Sequence, residues 1–358
     1  MNVMVVNGSE LTDAHRVRWR EIQAMSPVLG SPYFCVGFTE AVASAREDVH
    51  VAVIEKNGET VAFFPFQRAR GGFGSPVGGP LCDIHGVLAV PGIELDFNEL
   101  LNECGLATWA FHCAPADQTS LAAHAQRTDE SLYLDLSDGF EAYVEAMKER
   151  GAKAVSDCAY KMRKLGRDHG EVRFVPHIED VSVLETLIAW KSAQYQASGL
   201  IDVFSFDWTR KLLMTLHGTD TPDFRGRFYG LYAGDKLVAM HMGMMSRTVV
   251  NWWFPRHDNE YRKYSPGILL RWLAAEYAAG QGIQRMDLGC ADETSYKQHL
   301  ATGGIPVLAG EVRRPCLAVT VRDTWGTFKD KVRASPVKKM LGTPGRRLAA
   351  ALYRRKYK

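Results

Sequence analysis

The sequence predicts an α/β fold used twice over, each copy a mixed, mostly antiparallel sheet flanked by helices. Three observations carry this prediction: a strong hairpin signal in each half of the chain, the same order of elements after each hairpin, and the same order before it. The first hairpin is read from two β-rich runs, residues 50–54 and 60–66, flanking Asn57-Gly58, a dipeptide suited to a type I′ turn because both central residues need positive φ. In the second hairpin, residues 227–232 and 236–245 flank Gly234-Asp235. Small and large side chains alternate along the second pair, as half-buried strands require.

In chain order, the first half opens with a strand at 4–6 and helices at 13–25 and 36–45. Its hairpin is followed by an extended stretch near Val87, a helix over 93–104 and a strand over 108–112. A strand at 132–136 closes this sheet, and 140–169 reads as a helical pair broken near Gly151. The second half repeats the scheme with a strand at 172–175, helices at 181–198 and 208–217, and then the second hairpin. After it come a strand over 249–254, a helix over 267–279 with Ile268, Leu269, Trp272, Leu273 and Tyr277 at helical spacing, and a strand over 285–288. A last strand is expected at 317–321. The division that follows is an N-terminal half, 1–137; a helical connector, 138–169; a C-terminal half, 170–321; and a tail, 322–358.

At 358 residues, 46% hydrophobic and 23% charged, the chain has ordinary globular composition and length for about two domains. Its first ten residues lack the basic start and apolar run of a secretory signal, and no stretch of about 18 apolar residues occurs, so a cytoplasmic protein is expected. The seven cysteines are scattered singly, with no C-x-x-C pair and no histidine at zinc-finger spacing, which predicts reduced thiols and no metal.

Charge is uneven. Residues 322–358 hold twelve Lys or Arg against Asp323 and Asp330, a net of +10, which leaves −8 for the rest of a chain whose formal net charge is +2. A basic tail on a mildly acidic body is a device for holding something anionic. An anionic membrane surface, which would make the protein peripheral to a membrane, or a cyclic dinucleotide would suit it. Duplex nucleic acid is not expected, because no recognised DNA- or RNA-binding motif accompanies the charge.

The segment with the clearest chemistry lies between the strand at 249–254 and the next helix, where Arg262-Lys263-Tyr264-Ser265-Pro266-Gly267-Ile268 sits on the helix N-terminus. First-turn N–H groups lack internal partners and carry the positive end of the helix dipole; Pro266 and Gly267 allow close backbone approach, and Arg262 and Lys263 add charge, a combination suited to a pyrophosphate. The plainer alternative is a helix start with a Ser265 cap and Pro266 near the first position.

A hairpin, a third antiparallel strand, an R-x-x-[GS]-x-G loop, a helix and a parallel strand resemble the core of the GNAT acetyltransferases, in which that loop holds the pyrophosphate of acyl-CoA. The doubled arrangement resembles the FemAB-type group. The run YRKYSPGILLRWLAAEYAAGQGIQRMDLGCADETSYKQHLATGG resembles the CelD-type acetyltransferases associated with bacterial exopolysaccharide, cellulose or holdfast synthesis. The resemblance implies a tandem duplicated GNAT (acyl-CoA N-acyltransferase) fold, acetyl-CoA or another acyl-CoA as cosubstrate, and an amino sugar of a glycan or its precursor as acceptor. It maps Arg262, Ser265 and Gly267 onto the R-x-x-G-x-G loop, with Ser265 in place of the first glycine. Asp287, Asp292, Tyr296 and Lys297 match the D-x-x-G-x-x-x-x-Y-K pattern of the CelD-like group approximately.

In such a fold the amine attacks the thioester directly, which requires a base for the ammonium proton and an acid for the leaving thiolate. Asp292 or Glu293 is the candidate base, Tyr296 the candidate acid or a residue that holds the substrate, and Lys297 a partner for Asp292 or for phosphate; each has a solvated loop residue as its plainer reading. Of Trp252-Trp253, alternation in a strand puts one in the core and leaves the other able to stack on a sugar ring. His241, mid-strand among methionines, is either a core histidine or a base. In the first half no basic loop precedes a helix, so this half is expected to serve the acceptor, with Asp83 and His85 either as contacts, Asp83 to an amine or sugar hydroxyls, or as structural loop residues. Two other readings remain: a FemX-like aminoacyl-tRNA-dependent peptidyl transferase, and a non-catalytic regulatory module acting through the basic tail.

Overall fold

The computed structural model describes residues 1–151, 154–290, 296–316 and 319–320. The first half runs β1 (Asn2–Asn7), α1 (Asp13–Ala24), α2 (Val36–Ala45), β2 (Val49–Lys56), β3 (Glu59–Ala69), β4 (Phe73–Ser75), β5 (Leu88–Ala89), α3 (Phe97–Glu103), β6 (Thr108–Pro115), α4 (Thr119–Ala122) and β7 (Ala125–Asp135). The helices α5 (Phe140–Glu149) and α6 (Ala154–His169) follow. The second half runs β8 (Val172–Val175), α7 (Val181–Ala197), α8 (Asp207–His217), β9 (Phe224–Ala233), β10 (Lys236–Ser246), β11 (Val249–His257), α9 (Pro266–Gly280), β12 (Arg285–Cys290) and β13 (Gly303–Arg313).

Turn chemistry acts as the sequence predicts. Asn57 and Gly58 take φ of 54° and 83° between β2 and β3, and Gly234 takes 55° between β9 and β10. The repeat is equally plain in the pairing, because each half has one parallel pair, β4 with β6 and β11 with β12, among antiparallel neighbours. A parallel pair needs a crossover, which α3 and α9 supply.

The two half-sheets fuse into one, in the order β1-β2-β3-β4-β6-β13-β7-β12-β11-β10-β9-β8 with β5 on β3. β7 of the first half pairs with β12 of the second, and β13 returns to lie between β6 and β7. Three cores result. One is shared, formed where α1 and α2 meet α7 and α8 on one face of the sheet. A second lies under α5, α6 and α9, and a third under α3.

Several expectations are corrected. β7 begins at Ala125, earlier than the strand read at 132–136. β13 was not anticipated, and of the last strand expected at 317–321 only 319–320 are described, where they are helical. The basic tail lies outside the described residues. Cys113 on β6 and Cys290 at the end of β12 are disulfide-bonded rather than reduced; both line the shared core, which sequence spacing could not reveal. Among the described residues no helix is long and apolar enough to cross a membrane.

Candidate acyl-transfer site

The site starts from an interruption in the sheet. β11 and β12 pair only through Val249–Arg285, Val250–Met286 and Asn251–Asp287, although β11 continues to His257 and β12 to Cys290. Beyond Asn251 and Asp287 the two strands leave facing backbone edges that do not bond each other, a slot suited to an extended ligand bearing amides. A helix joining two parallel strands runs back against them, so α9 begins at the end of β11 where this slot opens.

The start of α9 is built by an unusual residue. Ser265 lies at φ 53°, ψ 48°, in the left-handed region that ordinarily favours glycine, which is how it occupies the first glycine position of the loop. Its side chain does not cap the helix. Instead Lys161 Nζ, from α6, donates to Ser265 Oγ at 2.9 Å. The simple serine cap is therefore not what forms, and Lys161, which sequence reasoning missed, places a third cation at this helix start. Arg262 and Lys263 are exposed. Tyr264 is buried and donates its hydroxyl to Asp168 Oδ2 at 2.8 Å, with His169 Nε2 3.0 Å away, so it anchors the loop instead of facing a ligand. Pro266 is likewise buried, whereas Ile268 is exposed and Gly267 half-buried.

On the opposite side of β11, the two halves meet around Asp83. Tyr33 donates its hydroxyl to Asp83 Oδ2 at 3.3 Å, and Asn251 Nδ2, at the last paired position of β11, approaches the same oxygen at 3.5 Å. Gly289 of β12 faces it, and Lys297 Nζ, which donates to Cys290 O at 3.1 Å, adds a positive field. Burial raises the Asp83 carboxyl above the ordinary carboxylate range; Lys297, the Tyr33 hydroxyl, His112 and Asn251 oppose that rise. The structure thus brings Asp83 and Lys297 together across the halves, at the mouth of the strand slot.

His85 is buried behind Asp83, accepts from the His112 N–H at 3.1 Å, and is held neutral chiefly by burial, so it packs rather than contacts an acceptor. The two adjacent tryptophans point to opposite faces of β11, and each face is a core: Trp252 stacks on His241 at 3.8 Å, and Trp253 donates its indole N–H to Leu81 O at 3.0 Å. Neither has a free face for a sugar ring, being 5% and 8% exposed. His241 Nε2 accepts from the Trp253 N–H at 2.8 Å, and burial followed by Lys191 and Arg271 keeps the ring neutral, the core reading. Asp287 is buried and bound to Arg285 at 2.8 Å, an ion pair within β12 rather than a free base. Asp292 and Glu293 lie outside the described residues, as does the side chain of Tyr296.

With this geometry in view, residues 152–298 match the family model described as Acetyltransferase (GNAT) domain, a span that holds the slot and the α9 loop. The protein carries an acyltransferase domain. Its whole fold is similar to solved tandem structures: FemX (10% identity, 87% of this chain and 96% of that one, TM-score 0.57) and a tandem GNAT protein from the clavulanic acid biosynthesis pathway (11%, 88% and 99%, TM-score 0.51). The C-terminal DUF2156 domain of a lysylphosphatidylglycerol synthetase candidate from Agrobacterium fabrum is also similar (13%, 87% and 96%, TM-score 0.53). At these identities the likeness is one of fold. A search of curated protein sequences finds no significant match. Among the described residues no cluster of His, Cys, Asp and Glu could hold a metal.

Proposed function

We propose that the protein is an acetyl-CoA-dependent N-acetyltransferase whose acceptor is an amino sugar of an exopolysaccharide or its precursor. The observation that carries the acyl-CoA half of this reading is the coincidence of the β11–β12 slot with the helix start at Ser265. The slot suits the amides of a pantetheine arm, and Arg262, Lys263 and Lys161 suit the pyrophosphate beyond it. These cations gather at one helix start beside the slot, as a compact pyrophosphate joined to a pantetheine arm requires, instead of tracking along a polynucleotide backbone, which favours acyl-CoA over the FemX-like reading.

The acceptor enters from the side of Asp83. There the Asp83 carboxylate holds the ammonium group and removes its proton, the free amine attacks the thioester carbonyl, and the tetrahedral intermediate collapses with cleavage of the C–S bond, the second nitrogen proton passing through solvent to the departing thiolate to give the amide and the CoA thiol. A carboxyl raised by burial is better matched to an amine proton than an exposed one. The amino-sugar acceptor rests on the likeness of the second half to CelD-type enzymes. Thiol release from acetyl-CoA in the presence of amino sugars tests it. Turnover with an amino sugar supports the assignment; turnover with aminoacyl-tRNA and none with any amino sugar would replace it.

A further inference from the structure

Among the described residues, two cations on the Asp83 side of β11, one on α7 and one on β11 itself, lack counterions. Lys191, on α7, is only 7% exposed, and among the described residues it has no hydrogen bond or ion pair. Its Nζ lies over two rings, 5.6 Å from the centroid of Tyr195 and 5.8 Å from that of Phe254. Arg256 stands two residues beyond Phe254 on the same side of β11, and its buried Nε has no hydrogen-bond partner among the described residues. Burying an unpaired cation costs several kcal/mol, which natural sequences avoid without a reason.

The nearby carboxylates among the described residues do not relieve them. Asp202 is committed to Ser192 Oγ at 2.5 Å, Gln196 Nε2 at 2.8 Å and the Phe204 N–H at 3.1 Å. Asp83 faces Tyr33, Asn251 and Lys297. Tyr195 joins the two regions, its ring under Lys191 and its hydroxyl in the field of Asp83. An acceptor reaching from Asp83 past Tyr195 would meet both cations.

We propose that Lys191 and Arg256 form a phosphate subsite for the acceptor, so that the amine to be acylated is carried on a phosphorylated molecule, such as a sugar phosphate or a nucleotide-linked amino sugar. This rests on the reading of the Asp83 cleft as the acceptor site. Phosphate is preferred to carboxylate because two cations call for about two negative charges, which a phosphate monoester or diphosphate supplies and a carboxylate does not. An arginine fork beside a lysine point charge is also the usual pairing for phosphate oxygens.

The test is a calorimetric titration of inorganic phosphate into the full-length protein, with and without saturating CoA. Wild type is compared with Lys191→Met, Arg256→Met and Gly267→Trp, each checked for a cooperative melt. The expected result is phosphate binding that persists with CoA bound, weakens at least about tenfold in both cation variants, and survives in Gly267→Trp. Equal affinity in the cation variants, no binding by wild type, or displacement by CoA would overturn the subsite. Loss of CoA binding by wild type would instead defeat the acyl-CoA reading and leave the comparison without CoA intact.

Discussion

Asp83 of the first half faces Gly289 of the second, where an added β-carbon would stand 3.3 Å from Asp83 Oδ2. Gly289 also sits at φ 74°, so the position requires glycine both for its backbone and for the closeness of the carboxylate. Gly289→Ala is expected to cost about 1–2 kcal/mol of stability from the left-handed backbone alone and to slow acyl transfer as Asp83 is pushed aside. Denaturant midpoints and initial rates measure the two effects.

Asp83→Asn is expected to lower kcat by about 10²- to 10⁴-fold, the range of a lost general base, while acetyl-CoA affinity stays unchanged. The stability sign is also fixed. A carboxyl raised in the folded state favours folding below its unfolded value of 3.8, and that contribution is lost as pH rises through the folded value. Asp83→Asn should therefore gain on wild type as pH rises from acid towards neutrality, which thermal melts across that window check.

Lys191 gives the opposite case. Burial first, then Arg256, lowers its ammonium from 10.5 to about 8. Below the folded value the protein carries the full cost of the buried charge; as pH rises from about 8 to 10.5 the folded state sheds its proton first and stability recovers. Lys191→Met should be more stable than wild type by roughly 3 kcal/mol at neutral pH, with the gap closing by about pH 10.5. A gap that does not change with pH would show that Lys191 is not held as an unpaired cation.

Lys161→Met should weaken acetyl-CoA binding by about 10- to 100-fold, the worth of a charge-assisted contact to phosphate, without unfolding the protein. Ser265→Gly should bind acetyl-CoA within a few-fold of wild type, because glycine accepts the same backbone and the first-turn geometry survives. Calorimetry on both variants separates the charge at this helix start from its shape.

Local signals were legible in the sequence, and long-range ones were not. Asn57-Gly58, the helix-spaced apolar residues of α9 and the R-x-x-S-x-G loop each act through neighbours in the chain, so their residue types alone announce them. β13 was hidden because Gly303, Gly304, Pro306 and Gly310 make it a poor strand by propensity. Its glycines are needed by the partner strand: a β-carbon at Gly303 would fall 2.3 Å from the Tyr133 ring, and at Gly310 2.1 Å from His124 O. Lys161, Lys191 and Arg256 were invisible for a related reason. A lysine on a helix or an arginine at a strand end reads as solvated until the fold removes its water. Alternation does put the two tryptophans of β11 on opposite faces, but helices cover both faces, so neither indole is left for a ligand.

We propose that the β11–β12 slot and the helix start at Ser265 hold acyl-CoA. The most direct measurement is calorimetric binding of acetyl-CoA to wild type, Arg262→Ala and Gly267→Trp, with melting curves to confirm that each is folded. Binding by wild type that is weakened in Arg262→Ala and abolished in Gly267→Trp is the predicted result. A folded wild type that binds no acetyl-CoA, or a Gly267→Trp variant that binds it as well as wild type, would contradict the account.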